Sequence, residues 1–297
     1  MNLLITGGTG FIGSALCTRL LDEKHSIVVL SRHPEKVNLP IKSVSSLGHL
    51  TDNDIFDVVI NLAGEPIADK RWSDQQKNRI YSSRIVTTET LMTYLKKSKN
   101  KPKVLISGSA IGYYGIDGMD DIVDENSGYD ESFSSELCQK WETAALKAEP
   151  LGIRTCLLRT GIVLGKNGGA LSKMLLPFKL GLGGKIGHGN QWMPWIHLDD
   201  LVGIIMYCIN DNNLKGPVNG TSPNPVINQV FTKSLGMVLK RPTIFPMPKV
   251  VIKLLMGQMG KELLLVGKRI LPQKILNAGY DFKYKTLDEA LKDIVEI

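Results

Sequence analysis

The sequence predicts an α/β protein built on a Rossmann-type, doubly wound parallel sheet with a smaller C-terminal lobe on the substrate side. Short apolar runs rich in β-formers alternate with longer amphipathic stretches through the first half of the chain, the pattern of a parallel sheet covered by helices on both faces. A glycine-rich turn follows the first apolar run directly. Past Gly165 the rhythm changes to glycine-rich and proline-interrupted segments, which read as chain leaving the sheet.

In order along the chain, strands are expected over residues 2–6, 26–31, 57–62, 103–107 and 154–159, with helices over 13–23, 73–97 and 134–148. Crossovers of that kind are right-handed, which leads to a doubly wound sheet. Residues 167–169 and 181–189 read as loops around a helical stretch at 171–180. Residues 195–201 open an apolar helix through Ile209, with Asp199 and Asp200 at its dipole-positive end. Residues 217–225 read as loop, and the chain from Asn228 reads as helix interrupted at Pro242, Pro246, Pro248 and Pro272. The expected division is a nucleotide lobe of 1–165 plus about 195–215, and a smaller lobe of about 166–194 and 216–297.

Composition narrows the class. The 297 residues are 43% hydrophobic and 22% charged, enough for a large core and unlike a disordered or fibrous chain. The four cysteines, Cys17, Cys138, Cys156 and Cys208, form no C-x-x-C or His/Cys cluster, so reduced thiols, no metal and a cytoplasmic location are expected. No apolar run approaches the roughly 18 to 20 residues of a membrane helix, and the chain starts at once with strand-like Leu3-Leu4-Ile5, so neither a membrane partner nor a signal peptide is expected. The net charge of +7 includes a lysine run at 96–103. That run falls where a helix should end, where cations complement the dipole, and no nucleic-acid partner is inferred from it.

The turn Thr6-Gly7-Gly8-Thr9-Gly10-Phe11-Ile12-Gly13 sits between the first strand and a helix-forming run. Gly7 lets the chain turn, Gly10 lets backbone approach a pyrophosphate, and Gly13 lets the helix pack on the sheet. With Thr9, Phe11 and Ile12 these residues are the expected cofactor cradle, since a helix start presents unpaired N–H groups to phosphate. The second strand ends at Ser31-Arg32 rather than at an acidic residue. A neutral residue followed by arginine suits the 2′-phosphate of NADP, so NADPH is the expected cofactor.

With Asn61-Leu62-Ala63-Gly64, Ser107-Gly108-Ser109 and Ile196-His197-Leu198-Asp199-Asp200, the glycine turn makes the chain resemble the extended short-chain dehydrogenase/reductase superfamily of nucleotide-sugar epimerases and dehydratases. It is similar, more narrowly, to the atypical branch of epimerase-family proteins, through Ser83-Arg84, Trp141-Glu142, Arg159 to Gly165, Leu176 to Gly184, Pro194-Trp195-Ile196-His197, Pro272 and Gly279-Tyr280. The resemblance implies that Leu62, Ala63 and Gly64 lie along the cofactor, that Arg84 reaches its phosphate or ribose, and that Val163 lines the nicotinamide end. It also implies a two-lobed architecture and allows a homodimer, since extended members often pair through two helices of the nucleotide lobe.

The superfamily uses a tyrosine as acid or base, a lysine four residues later, and a serine on the substrate oxygen. Tyrosine and lysine must share a helix face for the cation to favour phenolate. Ser109 matches the serine, but the pair is missing: aligned through Glu142, Ser134 stands at the tyrosine position and Cys138 at the lysine position. Shifting the register to use Lys140 puts Glu136 at the tyrosine position. Tyr113 and Tyr114, just past Ser109, are the candidate replacement acids, or else pack as shape-makers. The expected activity is an NADP-dependent oxidoreductase or epimerase-like enzyme acting on a small carbonyl or alcohol, sugar-like ones included, the alternative a catalytically silent NADP(H)-binding sensor or partner-binding protein. His188, Gln191, Trp192 and Trp195 are the candidate substrate contacts, and His197 is expected to be structural. No G-x-S-x-G occurs to support a hydrolase.

Overall fold

Seven parallel strands carry the computed structural model, which describes every residue except Leu39, Met119, Asp120 and Ile297, with Glu296 described by its backbone. The strands are β1 (Asn2–Thr6), β2 (Ser26–Leu30), β3 (Lys42–Val44), β4 (Val58–Asn61), β5 (Val104–Ala110), β6 (Ile122–Val123), β7 (Arg154–Thr160), β8 (Ile162–Gly165), β9 (Trp192–Met193), β10 (Trp195–His197), β11 (Gly216–Gly220), β12 (Val226–Ile227) and β13 (Arg269–Ile270). The helices are α1 (Phe11–Asp22), α2 (Asp74–Lys97), α3 (Phe133–Leu146), α4 (Gly169–Lys179), α5 (Leu198–Asn210), α6 (Asn228–Leu239), α7 (Lys249–Leu264), α8 (Gln273–Asn277) and α9 (Leu287–Glu296). The main sheet runs β11-β7-β5-β4-β1-β2-β3, and the chain reverses direction across the sheet between β1 and β4. In open α/β sheets ligands bind at the carboxyl edge by such a reversal.

Both faces of the sheet are covered, so its central strands are apolar in succession rather than alternating. Leu3, Leu4 and Ile5 are all buried, Leu3 and Ile5 against α1 and α5, Leu4 against α2 and α3. Helix α2 starts with the Ser73 hydroxyl accepting from the Gln76 N–H. At its other end Lys101 Nζ donates to the carbonyls of Leu95 and Lys96, so the lysine run does complement a helix terminus.

Two segments differ from the sequence reading. Residues 195–197 form a strand parallel to β8, and the helix begins only at Leu198, capped by His197 Nδ1 accepting from the Asp199 N–H. Residues 216–220, expected as loop in the smaller lobe, form the edge strand beside β7. The sheet therefore extends past the boundary expected at 216. The later segments pack separately through α4, α6 and α9 around Trp195 and Phe231. A further cluster of Trp72, Ile80, Trp141 and Met259 joins α2 and α3 to α7. No helix among the described residues is long and apolar enough to cross a membrane.

Candidate functional site

The turn from β1 to α1 lies at the carboxyl edge of the sheet, and its geometry explains its glycines. Gly7 has φ +72°, and a Cβ there would lie 2.6 Å from the carbonyl carbon and oxygen of Leu62. A Cβ on Gly13 would run into the Gly7 carbonyl oxygen. The turn thus sits directly against Leu62 and Ala63 at the end of β4. Helix α1 starts at Gly10 without a side-chain cap, and its first chain-closing bond is Ser14 N to Gly10 O, 2.8 Å. The N–H groups of Phe11, Ile12 and Gly13 are those a helix start leaves free for an anion.

The floor beneath this turn is a side-chain network. Thr6 Oγ1 donates to Asn61 Oδ1 at 2.6 Å and accepts from the Ala63 N–H at 3.2 Å. Asn61 Nδ2 and Trp141 Nε1 both donate to Thr88 Oγ1. Beside it Arg84 leans on Gly64, stacks on Trp141 and donates to the carbonyls of Glu65 and Ile80. Burial pulls its pKa down, and no carboxylate pairs with it among the described ion pairs. Outside the end of β2, Arg32 and Arg79 share an open groove of about 660 Å³ with Glu65 and Ser83. Arg79 is not among the cofactor contacts expected from the sequence. Ser31 Oγ accepts from the His33 N–H, and Arg32 lines the groove. Val163 is buried in β8, opposite Ile196.

Ser109 and Arg159 are paired across β5 and β7, and Glu142 of α3 sits between them. Ser109 Oγ donates to Glu142 Oε1 at 2.6 Å, and Arg159 grips both carboxylate oxygens at 2.9 Å, with all three side chains buried. Arg159 also donates to the Tyr114 hydroxyl, 3.1 Å, which donates to Asn219 Oδ1, 2.7 Å. Cys138 lies beside the Ser109 hydroxyl, its thiol pushed up to about 11 by burial and by the Glu142 charge. Ser134 donates through both N–H and hydroxyl to Glu262 of α7. A thiol that stays neutral therefore stands beside Ser109, where the superfamily's ammonium is expected, and a serine tied to a carboxylate stands one turn before it.

The two tyrosines separate sharply. Tyr114, expected as an alternative proton donor, is wholly buried with its hydroxyl bonded on both sides, and burial pushes its pKa up to about 12. It holds Arg159 in place and has no surface for a ligand. Tyr113 is only partly buried, with Arg159 stacked 3.4 Å from its ring centroid and Tyr129 against its edge.

The expected substrate contacts divide as well. Trp195 is fully buried among Phe231 and Leu291, with Nε1 donating to the Asn224 carbonyl, so it is core. Gln191 is buried and spends Nε2 on the carbonyls of Ile186 and Leu264, tying a loop to the end of α7. His188 is an exposed turn residue whose Nδ1 accepts from the Asn190 N–H. Trp192 stays partly open, under the guanidinium of Arg269 at 5.3 Å. Arg269 itself was missed in the sequence; its Nε is buried without a partner. Among the described residues no group of acidic, His and Cys side chains could hold a metal.

A doubly wound sheet with this glycine turn, and a serine at the end of β5, defines the epimerase/dehydratase class of the short-chain dehydrogenase/reductase superfamily. Residues 3–219 match the NAD dependent epimerase/dehydratase family, and 247–294 match a domain of unknown function, DUF1731. The chain belongs to that epimerase family. It is similar to the Arabidopsis thaliana epimerase family protein SDR39U1 homolog, chloroplastic, at 39% identity over all of this chain and 87% of the relative. The crystal structure of human epimerase family protein SDR39U1 (isoform 2) with NADPH superposes with TM-score 0.91 at 35% identity, covering 100% of this chain and 99% of that one. A nucleoside-diphosphate sugar epimerase from Corynebacterium glutamicum follows at TM-score 0.79 and 30% identity, over 99% of this chain and 58% of that one.

Proposed function

We propose that the chain is an NADPH-dependent oxidoreductase or epimerase-like enzyme acting on a small carbonyl or alcohol, with Tyr113 as its proton donor and acceptor. The glycine turn carries the reading. Gly7 and Gly13 leave no room for a Cβ, and the uncapped start of α1 offers N–H groups to a pyrophosphate. Arg32 and Arg79 suit a 2′-phosphate, and Arg84 is a half-buried cation without a carboxylate. The human relative solved with NADPH supports the same choice. When bound, NADPH supplies hydride chemistry. The chain's own part is to hold the substrate oxygen near Ser109 and to exchange a proton at the Tyr113 hydroxyl, with Arg159 on the ring. Ser109 Oγ donates its hydrogen bond to Glu142, so toward a ligand its oxygen is an acceptor, which suits the hydroxyl of an alcohol better than a carbonyl oxygen. Trp192 and the unpartnered Arg269 Nε support a polar, anion-bearing substrate. The cytoplasmic location is proposed on four free, buried cysteines.

Calorimetric titration tests the cofactor. NADPH should bind more tightly than NADH, and Arg32→Ala should weaken NADPH by about tenfold, roughly 1.4 kcal/mol, with NADH unaffected. No binding of either nucleotide would overturn the reading. A second reading, a cofactor sensor without turnover, is favoured by Ser134 and Cys138 at the positions of the missing pair. A carbonyl screen followed by nicotinamide absorbance separates them: turnover lost in Tyr113→Phe supports the enzyme, and NADPH binding with no turnover supports the sensor.

A further inference from the structure

The outer side of the C-terminal lobe carries an apolar surface that none of the described elements covers. Leu180 and Leu182 lie beside Ile244 and Phe245, because the 241–247 strip runs along the end of α4: Phe245 N donates to Gly183 O, Met247 N to Lys185 O and Arg241 Nε to Lys179 O. The strip leads into α7, where Val250 and Leu254 stand one turn apart, each 74% exposed, while Ile252 on the opposite side is buried. Aliphatic exposure on this scale marks an interaction surface.

The segments that build it carry charge of one sign, and Asp69, paired with Lys173 of α4, comes from outside them. Residues 166–191 and 226–261 contain no Asp or Glu, while they carry nine lysines and Arg241. Lys249 and Lys253 flank Val250 and Leu254 on the same helix, and both are exposed. A two-fold contact of this surface with itself would set cations against cations with no carboxylate between them, which disfavours a second copy. Protein-binding hot spots are rich in Trp, Tyr and Arg and poor in lysine; this patch has aliphatic side chains, Phe245, and lysines. Lysines around exposed aliphatic residues are the signature of a helix lying in a bilayer interface, where long cationic side chains reach headgroup phosphates.

We propose that this face of the C-terminal lobe is a peripheral binding surface for an anionic lipid bilayer, with Val250, Leu254 and Ile244 entering the apolar layer and Lys249 and Lys253 on headgroup phosphates. The expectation of no membrane partner came from the lack of a long apolar run. A surface helix leaves no such run, because its lysines interrupt it.

Vesicle flotation of the full chain tests the proposal, with phosphatidylcholine alone against phosphatidylcholine containing phosphatidylglycerol. Binding is expected to the anionic vesicles and to fall with salt. Lys249→Glu/Lys253→Glu should weaken it by at least about tenfold, and Val250→Ser/Leu254→Ser should weaken it independently. Both pairs are solvent-exposed, and an unchanged thermal melt verifies the fold. No flotation, or equal flotation with neutral vesicles, would overturn the proposal. So would binding to soluble polyglutamate as tight as to vesicles and insensitive to Val250→Ser/Leu254→Ser, which would make the patch an acidic-protein site. A dimer dispersed by the serine pair, without flotation, would overturn it in favour of a copy-to-copy contact.

Discussion

Two parts of the same sheet edge are built from different materials. The turn between β1 and α1 uses backbone: glycines, an uncapped helix start and N–H groups. The region between β5, β7 and α3 uses side chains: Ser109, Glu142, Arg159 and Tyr114 in one buried chain of hydrogen bonds. A backbone site demands only that nothing protrude, so its signature is the absence of side chains. A side-chain site can exchange members as long as charge and hydrogen bonds still balance, and here Ser134 and Cys138 stand where alignment through Glu142 puts the superfamily's tyrosine and lysine. The difference teaches that the two regions answer to different constraints, the turn to space and the side-chain region to charge balance.

The largest effect should come from breaking the side-chain region. Arg159→Met leaves Glu142 buried at Ser109 without its cation, and should cost about 3 to 5 kcal/mol in denaturant unfolding. Adding Glu142→Leu should restore most of that loss, because removing both charges also removes the burial penalty. Equal stability of the single and double variants would show that the pair is not the source of the cost.

Next comes the backbone region. Gly13→Ala drives a methyl group into the Gly7 carbonyl, and should cost about 1 to 3 kcal/mol of stability as overpacking. NADPH affinity should fall by at least about tenfold, because the helix start must shift away from the turn. Isothermal titration reads that loss, and unchanged affinity would mean that the nucleotide does not use the turn.

The turn and most of the sheet were legible because each rests on a local signal. Apolar runs found β1, β2, β4, β5 and β7, and the glycine spacing found α1. Strand β11, Gly216-Pro217-Val218-Asn219-Gly220, reads as loop because its residues are turn formers; what makes it a strand is register against β7, a non-local fact. Strand β10 was absorbed into the following helix because it has only 3 residues before Leu198. Glu142 and Arg159 stand in two separate sequence motifs, and their pairing does not show there because they lie on different elements. Tyr113 and Tyr114 are neighbours in sequence, and only the fold sends one inward to Asn219 and leaves the other under Arg159.

That split sharpens the comparison with a smaller effect. Tyr114→Phe removes a hydroxyl bonded to Arg159 and Asn219 and should cost about 1 to 3 kcal/mol, because it leaves buried polar groups unpaired. It should leave the transfer rate of a substrate found by screening unchanged, while Tyr113→Phe abolishes transfer with little change in stability. Loss of transfer in Tyr114→Phe with full activity in Tyr113→Phe would reverse the assignment of the two phenols.

The smallest effect is a pH slope, at a residue where a side chain completes backbone structure. His197 caps α5 through Nδ1, which must be unprotonated to accept from the Asp199 N–H, and it stacks 3.9 Å from Tyr284. Burial pulls its pKa below the ordinary 6.5, outweighing the attraction of Asp199, Asp293 and Asp200. The unfolded chain therefore takes up a proton at this residue first as pH falls, and the linkage sign follows: the His197 contribution to stability is constant above about 6.5 and declines below it until the lowered folded value is passed. His197→Asn keeps a capping oxygen and removes the titration. Its denaturation midpoint should lose that part of the slope just below pH 6.5, and an identical slope in both proteins would assign the pH dependence to the carboxylates instead.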